Sequence, residues 1–211
     1  MKTKPQIIFI DWNKTLSNSL FWEHLQDVNH RHNKYLNSIE KSMFQNNRNL
    51  INPWMRGLYT SEDIVEILSK DSGVPKEIIL HELAESCYQM KYVSNDIPKL
   101  IKKIKSKGIK VVIATDNMDT FERFTIPSME IGNLFDDFLI SCKLKVLKED
   151  IQEDSIPFFD NYLNKYNLSY QDAVLLDDCI DTTGVYNKLG FQIIEITSSN
   201  KLIEILKEYA S

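Results

Sequence analysis

A chain of 211 residues, 43% hydrophobic and 26% charged, carries enough apolar material for one α/β domain with a modest insertion or for two small domains. Its formal net charge of −5 supplies no global basic field for nucleic acid or anionic lipid, so an anionic ligand must be held by local positive charge or by a metal. No stretch approaches the roughly 18 apolar residues of a membrane helix. The three cysteines, Cys87, Cys142 and Cys179, have neither an even count nor the spacing of a zinc site, and the expectation is a cytoplasmic protein with no nucleic-acid or membrane partner.

The opening MKTKPQIIFIDW has a basic tip and an apolar run too short for a signal peptide. Within it, residues 6–10 form a continuous apolar stretch, the pattern of a strand buried on both faces of a parallel sheet. Residues 21–44 contain no Gly or Pro and have mixed amphipathic spacing, which predicts a long helical region. Thr60-Ser61-Glu62-Asp63 is a helix start, a hydroxyl cap with early acids, and it leads into Ile64, Ile67 and Leu68 at helical spacing. Gly73 ends that helix, and Pro75, at a first-turn position, opens the next through Ile78, Ile79, Leu83 and Cys87. A helix over 98–107 then leads into a second strand at 110–114. Its lysines, Lys99, Lys102, Lys103, Lys105 and Lys107, read as a solvated helix face and not as a nucleic-acid patch. Further short strands fall at 138–140, 173–176 and 191–196. A parallel crossover needs only about a dozen residues, whereas roughly eighty separate the first strand from the 98–107 helix. Residues 17–94 are therefore expected to form an inserted helical subdomain.

Three of these strands run straight into polar residues: Asp11, Thr115 and Asp177. Ligands of open α/β sheets bind outside the carboxyl ends of the strands. Asp11 stands either in an ordinary polar turn or where a carboxylate can attack phosphorus and form an aspartyl phosphate. Thr115 can donate to a phosphoryl oxygen near a helix N-terminus or act as a helix cap. Asp177, Asp178 and Asp181 lie within five residues and repel one another unless something compensates, as a hard divalent cation does. Asp181 has a second available role, capping the helix that follows. The segment 141–148 offers three lysines, Lys143, Lys145 and Lys148. No Gly-rich phosphate loop occurs.

The order strand-Asp-x-x-x-Thr-Leu, helical insert, strand-Thr, lysine-bearing stretch, strand-Asp-Asp-x-x-Asp resembles the haloacid dehalogenase-like (HAD) superfamily, whose members are mostly phosphatases. The resemblance spans nearly the whole chain, although residues 17–94 match only as a helical cap between the first and second motifs. It implies a Rossmann-like, doubly wound parallel α/β sheet built from residues 1–16 and 95–211, with a small α-helical cap at 17–94. By the same resemblance Asp11 is the nucleophile and first Mg2+ ligand, and the backbone carbonyl of Asn13 is another ligand. Asp177 would hold the metal, with Asp178 or Asp181 completing the acidic motif. Thr115, with Asn117 beside it, would bind the phosphoryl group. Spacing from Ser141 favours Lys148 as the motif lysine, which would hold Asp11 ionised and neutralise phosphoryl oxygens.

The activity so implied is magnesium-dependent hydrolysis of a small phosphorylated molecule. Three residues depart from the pattern. Asn13 replaces the aspartate that normally serves as acid and base, and an amide cannot exchange a proton at neutral pH. Such a loss costs ~10²–10⁴-fold, which favours good leaving groups, and the alternative reading is a catalytically impaired protein that binds phosphate and metal. Lys14 stands where glycine is usual, and Glu149 where proline follows the motif lysine. Carbon–halogen hydrolysis, whose branch resembles Asp-x-Tyr and needs no metal, fits the acidic cluster poorly. Candidates for substrate recognition in the cap are Trp22, His24, His30, His32, Trp54, Arg56 and Tyr59.

Overall fold

The computed structural model describes residues 4–211, so the first three residues of the basic tip lie outside the described residues. Five strands, β1 (Ile7–Ile10), β2 (Lys110–Thr115), β3 (Asp137–Ile140), β4 (Ala173–Asp177) and β5 (Gln192–Glu195), form one sheet in the order β3-β2-β1-β4-β5. Every neighbouring pair is parallel. Helices α1 (Leu36–Lys41), α2 (Ile51–Met55), α3 (Ser61–Ser72), α4 (Lys76–Tyr88) and α5 (Ile97–Lys105) lie between β1 and β2. Then α6 (Ile126–Ser128) follows β2, α7 (Ser141–Leu144) follows β3, and α8 (Pro157–Lys165) precedes β4, while α9 (Val185–Lys188) precedes β5 and α10 (Ser199–Ala210) follows it.

The three inner strands, β1, β2 and β4, read as apolar runs because both of their faces are covered. Ile8, Ile10, Val111, Ile113, Val174 and Leu176 pack on one side with Ile97, Ile101 and Ile104 of α5 and Leu202, Ile205 and Leu206 of α10. The alternate residues, Ile7, Phe9, Val112, Ala114, Ala173 and Leu175, pack on the other side with Phe158, Phe159 and Leu163 of α8. The chain leaves β1 toward β2 and β3 on one side and continues into β4 and β5 on the other, so the sheet is doubly wound. Thr115 and Asp177 are the last residues of β2 and β4, one position further along than the apolar runs suggested.

The helices of the insert enclose an apolar cluster of their own, including Trp22, Leu25, Ile39, Trp54, Ile64, Leu68, Ile79 and Leu83. The capping box at Thr60 forms: its hydroxyl accepts from the Asp63 N–H (3.2 Å), and Asp63 accepts from the Thr60 N–H (2.8 Å). Gly73 ends α3 in the left-handed conformation (φ 72°). Pro75 is the cap residue just before α4 and not its first turn. The long helix expected over 21–44 is a larger departure. That stretch breaks into single turns at Glu23–Gln26 and Asn33–Tyr35, then α1, then a wider turn at Ser42–Asn46. Side chains that compete with the helix backbone account for the break. Asp27 accepts from the Asn29 N–H (2.9 Å), and the Asn33 amide donates to the Leu25 carbonyl (2.7 Å).

Candidate active site

Strand register builds the site. Ile10 pairs with Leu176, and the Asp11 N–H donates to the Leu176 carbonyl at 2.9 Å, so Asp11 and Asp177 emerge side by side at the carboxyl edge. Adjacent strands lie about 4.8 Å apart, close enough for one cation to touch both carboxylates. Lys148 does so: its Nζ lies 2.8 Å from Asp11 Oδ1 and 2.6 Å from Asp177 Oδ2. The three side chains are 13%, 7% and 5% exposed respectively. The other two candidate lysines are engaged elsewhere, Lys143 with Glu122 (2.6 Å) and Lys145 with the Gly57 carbonyl (2.8 Å). Lys148 is followed by a turn, and the next helix, α8, starts at Pro157. Side chains hold the turn in place. Asp150 accepts from the Leu147 N–H (2.8 Å), and Asp116 accepts from the Lys148 N–H (3.1 Å).

Burial dominates the electrostatics. It pushes the Asp11 carboxyl up to about 7, against the pull of Lys148 and with the help of the like charge on Asp177. Asp116 is likewise pushed up by burial, to about 6, although Lys148 opposes the shift. Burial alone would lower Lys148, but Asp11, Asp177 and Asp116 together carry it above its ordinary value. Two carboxylates thus pair with one ammonium, and a third, Asp116, holds the backbone N–H of the same lysine. An all-oxygen donor set with excess negative charge is what a hard divalent cation such as Mg2+ requires, so the residues present fit that ion.

An open cavity of ≈ 800 Å³ lies over this edge, lined among others by Asp11, Asn13, Lys14, Met55, Asp116, Lys148, Asp177, Asp178 and Asp181. Asp178 is partly exposed, and Lys14 Nζ lies 3.6 Å from it. Lys14 takes the left-handed backbone conformation (φ 55°) that glycine adopts most readily. Asn13 is exposed at the cavity wall. Asp181 serves the N-terminal end of α9, accepting from the Asn187 N–H (3.0 Å) and the Thr183 hydroxyl (2.9 Å), which matches the capping alternative. Thr115 is fully buried, and its hydroxyl has no hydrogen-bond partner among the described residues. It caps no helix: a helical turn begins only at Asp119. Asn117 is turned to local structure, its side chain accepting from the Met118 N–H (2.9 Å) and its N–H donating to Ser141 (2.9 Å). It does not line the cavity, whereas its neighbour Asp116, singled out by no sequence argument, does.

The candidates in the insert find other partners. Trp22 and Trp54 are core residues, and the Trp54 indole donates to Asp119 (2.9 Å). Tyr59 packs at the edge of the same cluster. Arg56 forms a two-pronged ion pair with Asp150, its Nη2 lying 2.6 Å from Oδ1, and so ties the end of α2 to the turn carrying Lys148. His24, His30 and His32 face Glu82. Met55 is the one insert residue among those that line the cavity.

No family model and no curated protein matches the sequence. Solved structures do match. A protein described as a predicted HAD-like family hydrolase from Porphyromonas gingivalis superposes with a TM-score of 0.70 at 14% identity, over 98% of both chains. A HAD family enzyme from Bacteroides thetaiotaomicron, in complex with magnesium and inorganic phosphate, gives 0.64 at 15% identity over 92% of this chain and 96% of that one. The L-2-haloacid dehalogenase from Xanthobacter autotrophicus, with chloropropionic acid covalently bound, gives 0.59 at 13% identity over 97% and 83%. Likeness of this extent at such low identity defines architecture, and the chain has the Rossmann-like α/β fold of the HAD-like hydrolases.

Proposed function

We propose that this chain is a HAD superfamily phosphatase: a magnesium-dependent hydrolase of a small phosphorylated molecule that works through an aspartyl phosphate on Asp11. The observation that carries the reading is the Lys148 ammonium, 2.8 Å from Asp11 and 2.6 Å from Asp177 at the carboxyl edge of the sheet. In this reading an Asp11 oxygen attacks phosphorus, the bond to the leaving oxygen breaks, and water then hydrolyses the acyl phosphate to regenerate Asp11. Lys148 draws Asp11 toward its anion and receives the negative phosphoryl oxygens, and the Thr115 hydroxyl, which has no partner among the described residues but is fully buried and outside the cavity lining, would join it once uncovered. Asp11, Asp177, Asp178 and the Asn13 carbonyl would hold Mg2+, which when bound offsets the charge of phosphate and carboxylates alike. Residues 17–94 act as the cap over a core of residues 1–16 and 95–211, and the three unpaired thiols accord with a cytoplasmic setting.

Phosphate as the ligand is supported by the similar Bacteroides enzyme with magnesium and inorganic phosphate bound. The acidic edge, with Asp177 and Asp178 beside Asp11, favours it over carbon–halogen hydrolysis. Asn13 supports one second reading, a protein that binds phosphate and metal but turns over poorly. Release of inorganic phosphate from a panel of phosphorylated metabolites, with and without magnesium, tests both. Magnesium-dependent release supports the hydrolase, whereas magnesium-dependent binding without release on any compound supports the second reading.

A further inference from the structure

All four histidines of the chain gather round one carboxylate in the insert, remote in sequence from the sheet edge. Glu82, in the middle of α4, has a side chain only 1% exposed. His24 Nε2 lies 2.7 Å from its Oε2 and His32 Nδ1 2.5 Å from its Oε1. His30 Nε2 is 3.8 Å from Oε2, and His81 Nε2 is 3.9 Å from Oε1. Two imidazoles, one on each oxygen, already satisfy the carboxylate, and together they hold it below its ordinary range although burial pushes it upward. The approach of His30 Nε2 to Glu82 is what hydrogen bonding leaves unexplained. Its Nε2 faces an oxygen that it is too far away to bond.

A metal explains the spacing. Zinc holds nitrogen and oxygen ligands at about 2.0–2.2 Å in a tetrahedron, which sets ligand atoms roughly 3.3 Å apart. The distances from Oε2, 2.7 Å to His24 and 3.8 Å to His30, straddle that value. The three ligand atoms lie within 4.8 Å of one another. We propose that His24, His30 and Glu82 form a binding site for a zinc-class divalent metal in the insert, with His32 holding the carboxylate from its other oxygen. Imidazole and carboxylate donors suit zinc and its neighbours over magnesium, and a ligating carboxylate is commonly fixed by a second hydrogen bond of the kind His32 makes. Binding has one local cost. His30 Nδ1 accepts from the His32 N–H at 3.2 Å, and metal on Nε2 places the proton on Nδ1, so that contact must yield. The metal would join the irregular stretch around Glu23–Gln26 to α4 across 58 residues of sequence.

The test uses the whole chain, stripped with a chelator and dialysed into excess magnesium, which occupies carboxylate sites and leaves imidazole free. Zinc is then added, its stoichiometry read by elemental analysis and its affinity by competition with a chromophoric chelator. The expected result is one zinc per chain, with His30→Ala weakening affinity on the order of 100-fold. His30 makes no hydrogen bond to Glu82, so the variant should keep its far-ultraviolet circular dichroism, and His30→Gln is the second variant should Ala unfold. Cobalt in place of zinc should give the visible absorption of a tetrahedral nitrogen–oxygen site, absent from both variants. Failure to retain zinc at micromolar free metal would overturn the proposal. So would wild-type affinity in the His30 variants, because the histidines would then be serving Glu82 by hydrogen bonds alone.

Discussion

Replacing Lys148 with Met keeps the length of the side chain and removes the one ammonium that lies between Asp11 and Asp177, at 2.8 and 2.6 Å. Both carboxylates are more than nine-tenths buried, so neither can recover its solvation. Removing one partner of a buried ion pair costs about 3–5 kcal/mol. For a chain of this size that lowers the melting temperature by roughly 10 °C. The loss must depend on pH, because Asp11 is already pushed up to about 7 and rises further without Lys148. At pH 5 it takes up a proton and the loss is confined to the Asp177 contact, whereas at pH 8 the full cost remains. Magnesium, by supplying charge between the same oxygens, should restore part of it. Turnover on any phosphate substrate should fall by about 10²–10³-fold, the usual effect of removing a group that stabilises developing charge. Thermal unfolding at both pH values, with and without magnesium, and phosphate release measure these effects. Lys143→Met and Lys145→Met are controls, since both lysines bond elsewhere. A melting temperature for Lys148→Met within about 2 °C of wild type at pH 8, or unchanged turnover, would mean that Lys148 does not balance these two carboxylates.

Asp11→Asn should abolish phosphate release while keeping the fold, and any retained turnover excludes Asp11 as nucleophile. The same variant reports the cost of the buried charge. Between the ordinary value of 3.8 and about 7 the folded state binds the Asp11 proton more tightly than the unfolded chain does. Wild type should therefore lose stability relative to Asp11→Asn as pH rises through that window, and urea titrations at pH 5 and 8 showing the opposite trend would contradict it. Millimolar magnesium should raise the melting temperature of wild type and do so less for Asp177→Ala; no shift in wild type counts against the metal site. Arg56→Ala frees the turn that carries Lys148 and should lower kcat about 10-fold with little change in KM. Steady-state kinetics with kcat unchanged would show that the Asp150 pair is not a positioning device.

The parts of the fold legible in the sequence are those set by local composition. Strands β1 and β4 could be recognised because the runs after Gln6 and over 173–176 are apolar at every position, as strands covered on both faces are. The acids at their ends, and the threonine that ends β2, could be recognised because a doubly wound sheet gathers strand termini on one edge. Thr60 and Gly73 announced their helix because caps are local. The break in residues 21–44 was not legible, since absence of Gly and Pro permits a helix without requiring one, and Asp27 and Asn33 there bond to nearby backbone instead. Among three lysines, family spacing singled out Lys148, but its contacts depend on how the turn is fixed by Asp116, Asp150 and Arg56. Those partners come from distant segments, and no spacing rule connects them. Asp116 escaped notice for a related reason: beside Thr115 it reads as an ordinary loop acid, and only its place on the cavity wall against Lys148 sets it apart.

Asn13 is where the local chemistry and the proposed activity pull apart, and it can be tested directly. Hydrolysis in two steps delivers a proton to the leaving oxygen and then removes one from water. The Asn13 amide can do neither. It lines the cavity with Asp11, Lys148 and Asp177, so a carboxyl in its place would face the same open cavity. Like charges on Asp11, Asp177 and Asp178 would push that carboxyl upward, the direction that suits a general acid at neutral pH. Asn13→Asp is nearly isosteric, and Lys14 already holds the left-handed turn that follows, so the loop need not move. Turnover of an alkyl phosphate should rise by about 10²-fold. Turnover of an aryl or acyl phosphate, whose leaving group departs as an anion, should change little. The measurement is kcat for both proteins on both substrate types. An alkyl-phosphate kcat that stays level or falls in an otherwise active protein means that another group already supplies the proton, and Asp116, on the same cavity wall and pushed up to about 6, is the first to examine. If both proteins are inert on every phosphate while magnesium still raises their melting temperature, the chain binds without turning over.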